Sequence, residues 1–248
     1  MSDRGEAPPG TLPANDLQLA VAAFPSVNLT LSAGSAVPVV AAVVNAASFE
    51  TGVAAGGLAT IFGANLAGGQ TATAAYPWPA ALQGVRVLLG GSPVPLFYVS
   101  DTQINFYVPQ SVPPGPATVT VITPSGARAT SEVTVNALQP GIFPGAVLRA
   151  GTALSAVTTP VHADDYIEIY CTGLGPTQLS GGLQRTLLTP AVFIGAAPLT
   201  PLYSGLTPGL QGLYQVNVQI PAGLAPGAQS VLLSIHLAHS NEISIQVQ

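Results

Sequence analysis

Charged side chains are scarce in this sequence. Only 6% of its 248 residues are charged, whereas an ordinary soluble domain has about 25%. The chain contains five arginines, no lysine and ten acidic residues, for a net charge of -5 at pH 7. A protein that binds nucleic acid needs a basic surface to neutralise phosphates, so we expect no nucleic-acid partner.

Cysteine and long apolar runs are also lacking. The single cysteine, Cys171, excludes an intrachain disulfide framework. We expect it to be a buried small hydrophobe, because no base adjoins it. Residues 17–49 contain no charge, but Pro25, Gly34 and Pro38 interrupt them. No run of about 18 apolar residues remains, so we expect no membrane span.

The start of the chain is unlike a signal peptide. Residues 1–6 include two acids and lack an apolar core. The composition nevertheless favours an exported protein, because small and uncharged polar residues must cover most of its surface. Such a surface lacks the charge repulsion that keeps crowded monomers apart. We therefore expect an extracellular or cell-surface location and a homo-oligomer or polymer.

The sequence does contain a repeat of about 110 residues. Its two halves share motifs in the same order and with similar spacing. The matched segments are residues 61–66 with 169–174, 87–94 with 192–199, 103–109 with 215–221 and 132–135 with 242–245, together with Tyr98 and Tyr203. A period of this length is a whole domain, so the sequence predicts a tandem duplication.

Each half has the pattern of an antiparallel β-sandwich. Apolar and polar residues alternate in short segments such as residues 117–123, and turns rich in Gly and Pro separate these segments. The sequence thus predicts an all-β protein. It consists of an N-terminal β-strand arm (residues 1–40) and two tandem immunoglobulin-like β-sandwiches (residues 41–138 and 139–248).

Several motifs resemble those of a known family. The matching segments are residues 44–49 (VNAASF), 103–109 (QINFYVP), 139–143 (QPGIF), 170–176 (YCTGLGP) and 214–221 (YQVNVQIP). They resemble the Solibacter-type uncharacterised C-terminal domain family, and each half also resembles IPT/TIG-type immunoglobulin-like domains. The resemblance implies tandem immunoglobulin-like sandwiches in an extracellular setting, and it implies no catalytic residue.

The first forty residues lie outside the repeat. Within them, apolar and polar residues alternate in two strand-like runs. The apolar members of these runs are Leu17, Leu19, Val21, Val27, Leu29 and Leu31. Two interpretations are open. The arm adds a strand to its own first sandwich, or it is donated to the sheet edge of a neighbouring subunit, which would link copies head to tail.

No group of residues points to catalysis, a metal or a cofactor. The three histidines have no zinc-site spacing. Asp164, Asp165 and Glu168 lack the ordered ladder of a Ca²⁺ loop, so we interpret this region as a solvated loop that leads into residues 166–169. Neither a Gly-x-Ser-x-Gly motif nor a carboxylate pair for glycoside hydrolysis stands out. We therefore expect a non-enzymatic protein.

The leading hypothesis is an exported structural protein that self-assembles into a filament or surface layer through its arm. The alternative is a surface adhesion or carbohydrate-binding module. Tyr76 and Trp78 are the candidate ligand-binding aromatics, since they lie in a rigid Tyr-Pro-Trp-Pro segment. Trp78 also fits a plug at the end of a sandwich. Tyr98 and Tyr203 share a repeat position and fit core or corner roles.

Overall fold

The structure, a computed structural model, describes residues 37–248. Every regular element within that range is a β-strand, which confirms the all-β prediction. The strands of the first repeat are β1 (Val39–Asn45), β2 (Val53–Ala54), β3 (Leu58–Ala64), β4 (Ala72–Thr73), β5 (Arg86–Leu89), β6 (Ser92–Pro93), β7 (Leu96–Val99), β8 (Gln103–Tyr107), β9 (Gly115–Ile122) and β10 (Arg128–Asn136).

The second repeat contributes eleven strands. They are β11 (Gly141–Arg149), β12 (Tyr166–Thr172), β13 (Thr177–Ser180), β14 (Leu183–Thr186), β15 (Ala191–Ile194), β16 (Ala197–Leu199), β17 (Tyr203–Leu206), β18 (Tyr214–Gln219), β19 (Gly227–Ile235), β20 (Ala238–His239) and β21 (Ile243–Val247).

The first compact unit, here called the first sandwich, comprises residues 37–139 and the short segment Thr172–Pro176. One of its sheets has the strand order β1-β3-β8-β7-β4 and the other has β2-β10-β9-β5-β6. Alternate residues of each strand meet in a shared apolar core. Its fully buried members include Ile61, Val87, Ile104, Phe106 and Val121.

The segment Thr172–Pro176 is fastened to this unit by close backbone contacts. The Thr172 hydroxyl accepts a hydrogen bond from the Leu58 N–H at 2.8 Å, and the Gln139 N–H donates to the Gly173 carbonyl at 3.0 Å. Gly173 has φ of +77°, and a Cβ there would lie 1.9 Å from the Gln139 carbonyl oxygen. Only glycine fits at this position.

The second sandwich comprises Pro140–Cys171 and Thr177–Gln248. Its larger sheet has the order β11-β12-β18-β17-β14-β13. Its other sheet has the order β16-β15-β19-β20, with β21 also pairing with β19. The buried residues between these sheets include Ile169, Cys171, Val192, Val216 and Leu233. Cys171 is fully buried, as predicted.

The strand pairing shows the duplication directly. Ile61 pairs with Ile104 in the first sandwich, and their counterparts Ile169 and Val216 pair in the second. The relation also holds across the next strand. Tyr98 lies opposite Asn105, and Tyr203 lies opposite Asn217. This confirms two tandem immunoglobulin-like sandwiches.

The last matched segment needs a correction. Sequence similarity aligned residues 132–135 with residues 242–245, but the pairing registers differ. Gly115 pairs with Val135, and its counterpart Gly227 pairs with Val247 rather than with Ile245. The structural counterpart of residues 132–135 is therefore 244–247. A shift of two residues is one full strand period, so the same side chains face the core in either alignment.

Two predictions lie wholly or partly outside residues 37–248. The proposed arm residues Leu17, Leu19, Val21, Val27, Leu29 and Leu31 all precede this range, so their role stays a prediction. The division into domains at residues 40 and 138 also stays a prediction. Within residues 37–248, no helix is long and apolar enough to cross a membrane.

Candidate functional site

The first sandwich carries an aromatic cluster at one end of its β7 strand. The Trp78 ring lies 4.8 Å from the Phe97 ring, centroid to centroid, at an interplanar angle of 34°. Tyr76 meets Trp78 edge to face at 5.4 Å. Such offset and edge-on contacts are the favoured geometries of aromatic pairs. Phe97 is buried, Trp78 is partly exposed, and Tyr76 is 42% exposed.

Backbone hydrogen bonds hold this cluster against β7. The Ala74 N–H donates to the Phe97 carbonyl at 3.0 Å, and the Leu96 N–H donates to the Pro79 carbonyl at 2.8 Å. The pairing of β7 with β8 shifts register between Leu96 and Tyr98, and Phe97 is the extra residue of this β-bulge. The loop that carries Trp78 therefore continues β4 along the free edge of β7.

Tyr107 adjoins the cluster from β8. Burial raises the pKa of its phenol, a hydrogen bond with the Gln110 backbone opposes that rise, and the nearby Tyr76 adds to it. Further along β8, the Asn105 side-chain oxygen accepts hydrogen bonds from the Thr60 hydroxyl at 3.0 Å and from the Gln103 amide at 2.9 Å. This sheet face therefore combines aromatic rings with amide and hydroxyl groups.

The corresponding end of the second sandwich is an open groove. It encloses about 340 Å³ and is lined by Asp164, Leu199, Thr200, Leu202, Val218, Gln219, Ile220, Pro221 and Ala222. Leu202 occupies the repeat position of Phe97, and Gln219 occupies that of Tyr107. The side chains of Val218 and Ile220 form a buried apolar floor.

Backbone hydrogen bonds support this equivalence. In the first sandwich, the Gly56 N–H donates to the Val108 carbonyl at 2.9 Å. In the second, the Asp164 N–H donates to the Ile220 carbonyl at 3.0 Å. Gly56 and Asp164 both have positive φ, 75° and 69°. The two ends share one backbone geometry, and they differ in what covers it.

The second sandwich also holds a buried polar row, which sequence reasoning missed. Glu168 is only 2% exposed, and its carboxylate accepts a hydrogen bond from the Tyr170 hydroxyl at 3.1 Å. Burial, followed by the Glu168 charge, raises the pKa of Tyr170. Glu168 lies within β12 opposite Asn217, in the segment that follows the predicted solvated loop, but its burial was not foreseen.

Asp165 does lie beside a loop, but it is bound on several sides. Its carboxylate accepts hydrogen bonds from the His162 N–H at 2.9 Å and from the Arg149 guanidinium at 3.0 Å. The backbone hydrogen bond, with the positive charge of Arg149, lowers the pKa of Asp165 despite partial desolvation. Asp165 therefore stabilises the turn that leads into β12.

Within residues 37–248, no set of three or more His, Cys, Asp or Glu side chains is placed to hold a metal ion. Burial raises the pKa of the Cys171 thiol, so it stays protonated and has the character of a core side chain. Two tyrosines of the second sandwich are enclosed. Tyr203 donates to the Leu206 carbonyl at 2.8 Å, and Tyr214 is buried.

The structure thus brings Tyr76 and Trp78 together. Sequence reasoning missed Phe97, the ring on which Trp78 packs, and the groove at the matching end of the second repeat. The motif alignment paired Tyr98 with Tyr203, and it therefore also paired the preceding residues, Phe97 and Leu202. Only the first repeat has aromatic residues in the loop before this position, and that difference could have pointed to Phe97.

A known protein family matches the first sandwich. Residues 42–136 match the family described as the IPT/TIG domain. This match confirms the IPT/TIG-like character predicted for the first repeat. The resemblance to the Solibacter-type family stays a prediction. No curated protein sequence matches this chain.

Solved structures with similar architecture are distant. One is the mixed-linkage glucan utilization locus protein SGBP-B of Bacteroides ovatus in complex with a heptasaccharide. It has 15% identity and a TM-score of 0.41, over 87% of this chain and 46% of that one. Another is SGBP-B of a xyloglucan utilization locus in Bacteroides uniformis, with 14% identity and a TM-score of 0.28, over 84% and 49%. The chain thus spans about half the length of each.

Proposed function

We propose that this protein is a non-enzymatic, exported structural protein whose copies associate through their sheets. The observation that carries this proposal is the set of exposed apolar side chains on the second sandwich. Seven of its large apolar side chains are more than one-third exposed: Leu154, Tyr166, Leu179, Leu187, Leu188, Leu202 and Leu237. Exposed apolar side chains on a protein with so few charged residues favour association with a partner.

An exposed sheet edge supports association by strand addition. The strand β13 lies at the edge of its sheet, and Leu179 within it is 70% exposed. It contains no charged residue and no proline, which are the usual means of protecting an edge. Its inner neighbour β14 joins the rest of the sheet through one residue pair, Arg185 with Gly205.

The donor in this proposal is the N-terminal arm of another copy. Its apolar residues Leu17, Leu19, Val21, Val27, Leu29 and Leu31 alternate with polar or small ones, so one face of an added strand would be apolar. Since residues 17–49 carry no charge, no electrostatic repulsion opposes the pairing. Strand addition from copy to copy is directional, and it extends into a filament or layer unless the ring closes.

Deletion of residues 1–35 tests this function. We expect the full chain to sediment as oligomers and the deletion variant as a monomer, with electron microscopy showing fibres or sheets only for the full chain. Circular dichroism confirms that the deleted form keeps its β structure. Oligomers of unchanged size after the deletion would refute assembly through the arm.

A second candidate function, carbohydrate binding, rests on the aromatic cluster. Tyr76 and Trp78 are both accessible on a loop fastened to β7. Rings on a well-held loop can stack on the apolar face of a sugar with little loss of conformational freedom. The partly exposed Gln103 amide lies on the same sheet as a further polar group.

The substitution Trp78→Ala tests that candidate. We expect it to reduce retention of the protein on insoluble polysaccharides by roughly tenfold, as for the loss of one buried aromatic contact. The matched control is Tyr166→Ala, because Tyr166 is 39% exposed and lies in the second sandwich. Equal retention of the two variants and the unaltered chain would rule out Trp78 as a glycan contact.

A further inference from the structure

The internal repeat assigns an occupant class to the groove of the second sandwich. We infer that this groove binds an aromatic–proline segment, and that the segment is Phe24-Pro25 in the N-terminal arm of a second copy. This inference rests on the proposed assembly, and it adds this groove to the β13 edge as an acceptor site for the arm.

In the first sandwich, the chain covers this end with its own loop. Trp78 lies on Phe97 at 4.8 Å, and a proline stands on each side of Trp78. Two main-chain hydrogen bonds, at Phe97 and Leu96, hold the loop beside β7. The geometry there is that of a segment added to a sheet edge with one ring anchored at the strand end.

In the second sandwich, the same end has the buried apolar residues, but no loop within residues 37–248 packs over them. The groove has apolar walls from Leu199, Leu202 and Pro221 above the buried Val218 and Ile220. Its volume, about 340 Å³, lies within the range of sites that hold small ligands. Leu202 stays 48% exposed, although its counterpart Phe97 is buried.

The main chain at this end offers fewer hydrogen bonds than in the first repeat. Pro201 stands where Leu96 stands in the first repeat and has no N–H to donate. The added segment is therefore anchored mainly by side-chain burial. A large ring is the most effective anchor of that kind.

One segment outside residues 37–248 has the required chemistry. Phe24 is the only aromatic residue among residues 1–36, and Pro25 follows it. This pair lies between the two alternating runs of the proposed arm, the first ending at Val21 and the second starting at Val27. Residues 17–36 carry no charge, so binding of this segment would bring no second carboxylate close to Asp164 at the groove rim.

Pairwise cysteine cross-linking of the full chain tests the inference. One preparation carries Ala23→Cys, which leaves Phe24 and Pro25 in place. A second carries Thr200→Cys, at the exposed rim of the groove. The matched control for the second is Leu237→Cys, at a residue 97% exposed on the same sandwich. The native Cys171 is buried, so it does not compete. Mixing and mild oxidation are followed by non-reducing electrophoresis.

We expect a disulfide between chains for Ala23→Cys with Thr200→Cys, and at least roughly tenfold less with Leu237→Cys. Adding Phe24→Ala to the donor should lower the yield by about tenfold, as for one lost ring contact. Equal yields at positions 200 and 237, or a yield unaffected by Phe24→Ala, would overturn the inference.

A chain that carries both Ala23→Cys and Thr200→Cys separates the possible donors. We expect linked oligomers from it. A monomer with an internal disulfide would overturn the assignment to a second copy. If deletion of residues 1–35 abolishes the oligomers but no cross-link forms at position 200, the result supports assembly through the arm and refutes the groove as its acceptor. If the deletion leaves the oligomers unchanged, the result refutes assembly through the arm itself.

Discussion

The two sandwiches differ most in the connection that follows their central strand. In the first, residues 65–85 lead from β3 to β5 and supply Tyr76 and Trp78 to cover the end of β7. In the second, residues 173–190 lead from β12 to β15 and form the β13–β14 hairpin instead. The strands that flank both connections pair in equivalent registers.

This comparison shows where a duplicated fold is free to diverge. Strand positions such as Ile61 and Ile169 are enclosed on all sides, and a change of volume there costs stability. A connection over the surface carries no such constraint. One copy of the connection therefore packs Trp78 on Phe97, whereas the other exposes Leu179 to solvent.

The largest expected effect comes from equivalent positions in the two separate cores. Phe106 and Val218 occupy equivalent buried positions. We expect Phe106→Ala to destabilise the first sandwich by about 3–5 kcal/mol and Val218→Ala to destabilise the second by about 2 kcal/mol. Urea unfolding followed by circular dichroism measures both. Equal losses of stability for the two variants would contradict this expectation, because the larger Phe106 side chain should leave the larger cavity.

The next effect concerns the aromatic cover. Trp78→Ala should open a groove in the first sandwich like that of the second and expose Phe97. We expect a loss of about 1–2 kcal/mol, less than the 3–5 kcal/mol of a fully buried ring because Trp78 is partly exposed. Tyr166→Ala serves as control, with a change within about 0.5 kcal/mol. The same loss in both variants would mean that Trp78 does not cover the end.

A smaller, pH-dependent effect distinguishes the two turns before the central strands. Asp165 stands where the first repeat has Gly57. Since the folded-state pKa of Asp165 is lowered, its ionised form stabilises the fold above the unfolded pKa of about 3.9. That contribution is lost as the pH falls through the lower folded value.

Asp165→Asn should therefore cost up to about 1 kcal/mol at pH 7 and nothing at a pH below both values. Urea midpoints measured from pH 2 to pH 7 report this difference. Glu132→Gln is the control, because the Glu132 carboxylate accepts only an exposed hydrogen bond, from Thr118. A cost that stays constant with pH would point to packing instead of charge.

The smallest expected effect is that of Leu202→Phe. This substitution places in the second sandwich the residue type found at Phe97. The measurement uses the chain that lacks residues 1–35, in which no arm fills the groove. Without a ring like Trp78 above it, the new side chain stays partly exposed, and we expect a stability change within about 0.5 kcal/mol. Thermal unfolding measures it. A gain above about 1 kcal/mol would mean that another part of the protein covers the groove.

Much of the fold was predictable, because apolar and polar residues alternate with the two-residue period of a β-strand. Alternation in residues 117–123 predicted most of β9, and the repeated Gln-x-Asn segments marked β8 and β18. The alignment of the last strands was wrong by two residues, although the hairpin from Gly115 to Val135 and the hairpin from Gly227 to Val247 have the same length. Apolar alternation looks the same after a shift of one period.

The site was less predictable. Tyr76 and Trp78 stood out by residue type, but Phe97 did not, because its importance comes from a bulge in the β7–β8 pairing. The burial of Glu168 was missed for a related reason. Its position after the loop at Asp164 and Asp165 does not show exposure or burial, and only its place within the larger sheet shows that the carboxylate is buried against Tyr170.

By itself, the sequence determined the class and the duplication of the fold, because side-chain alternation and turn residues act locally and recur in both halves. Tertiary structure alone decided which ends of the sandwiches are covered. Coverage depends on where a distant loop returns to the sheet, as when Pro79 meets Leu96, and no local pattern encodes that meeting. The open groove of the second sandwich is the consequence of a loop that does not return.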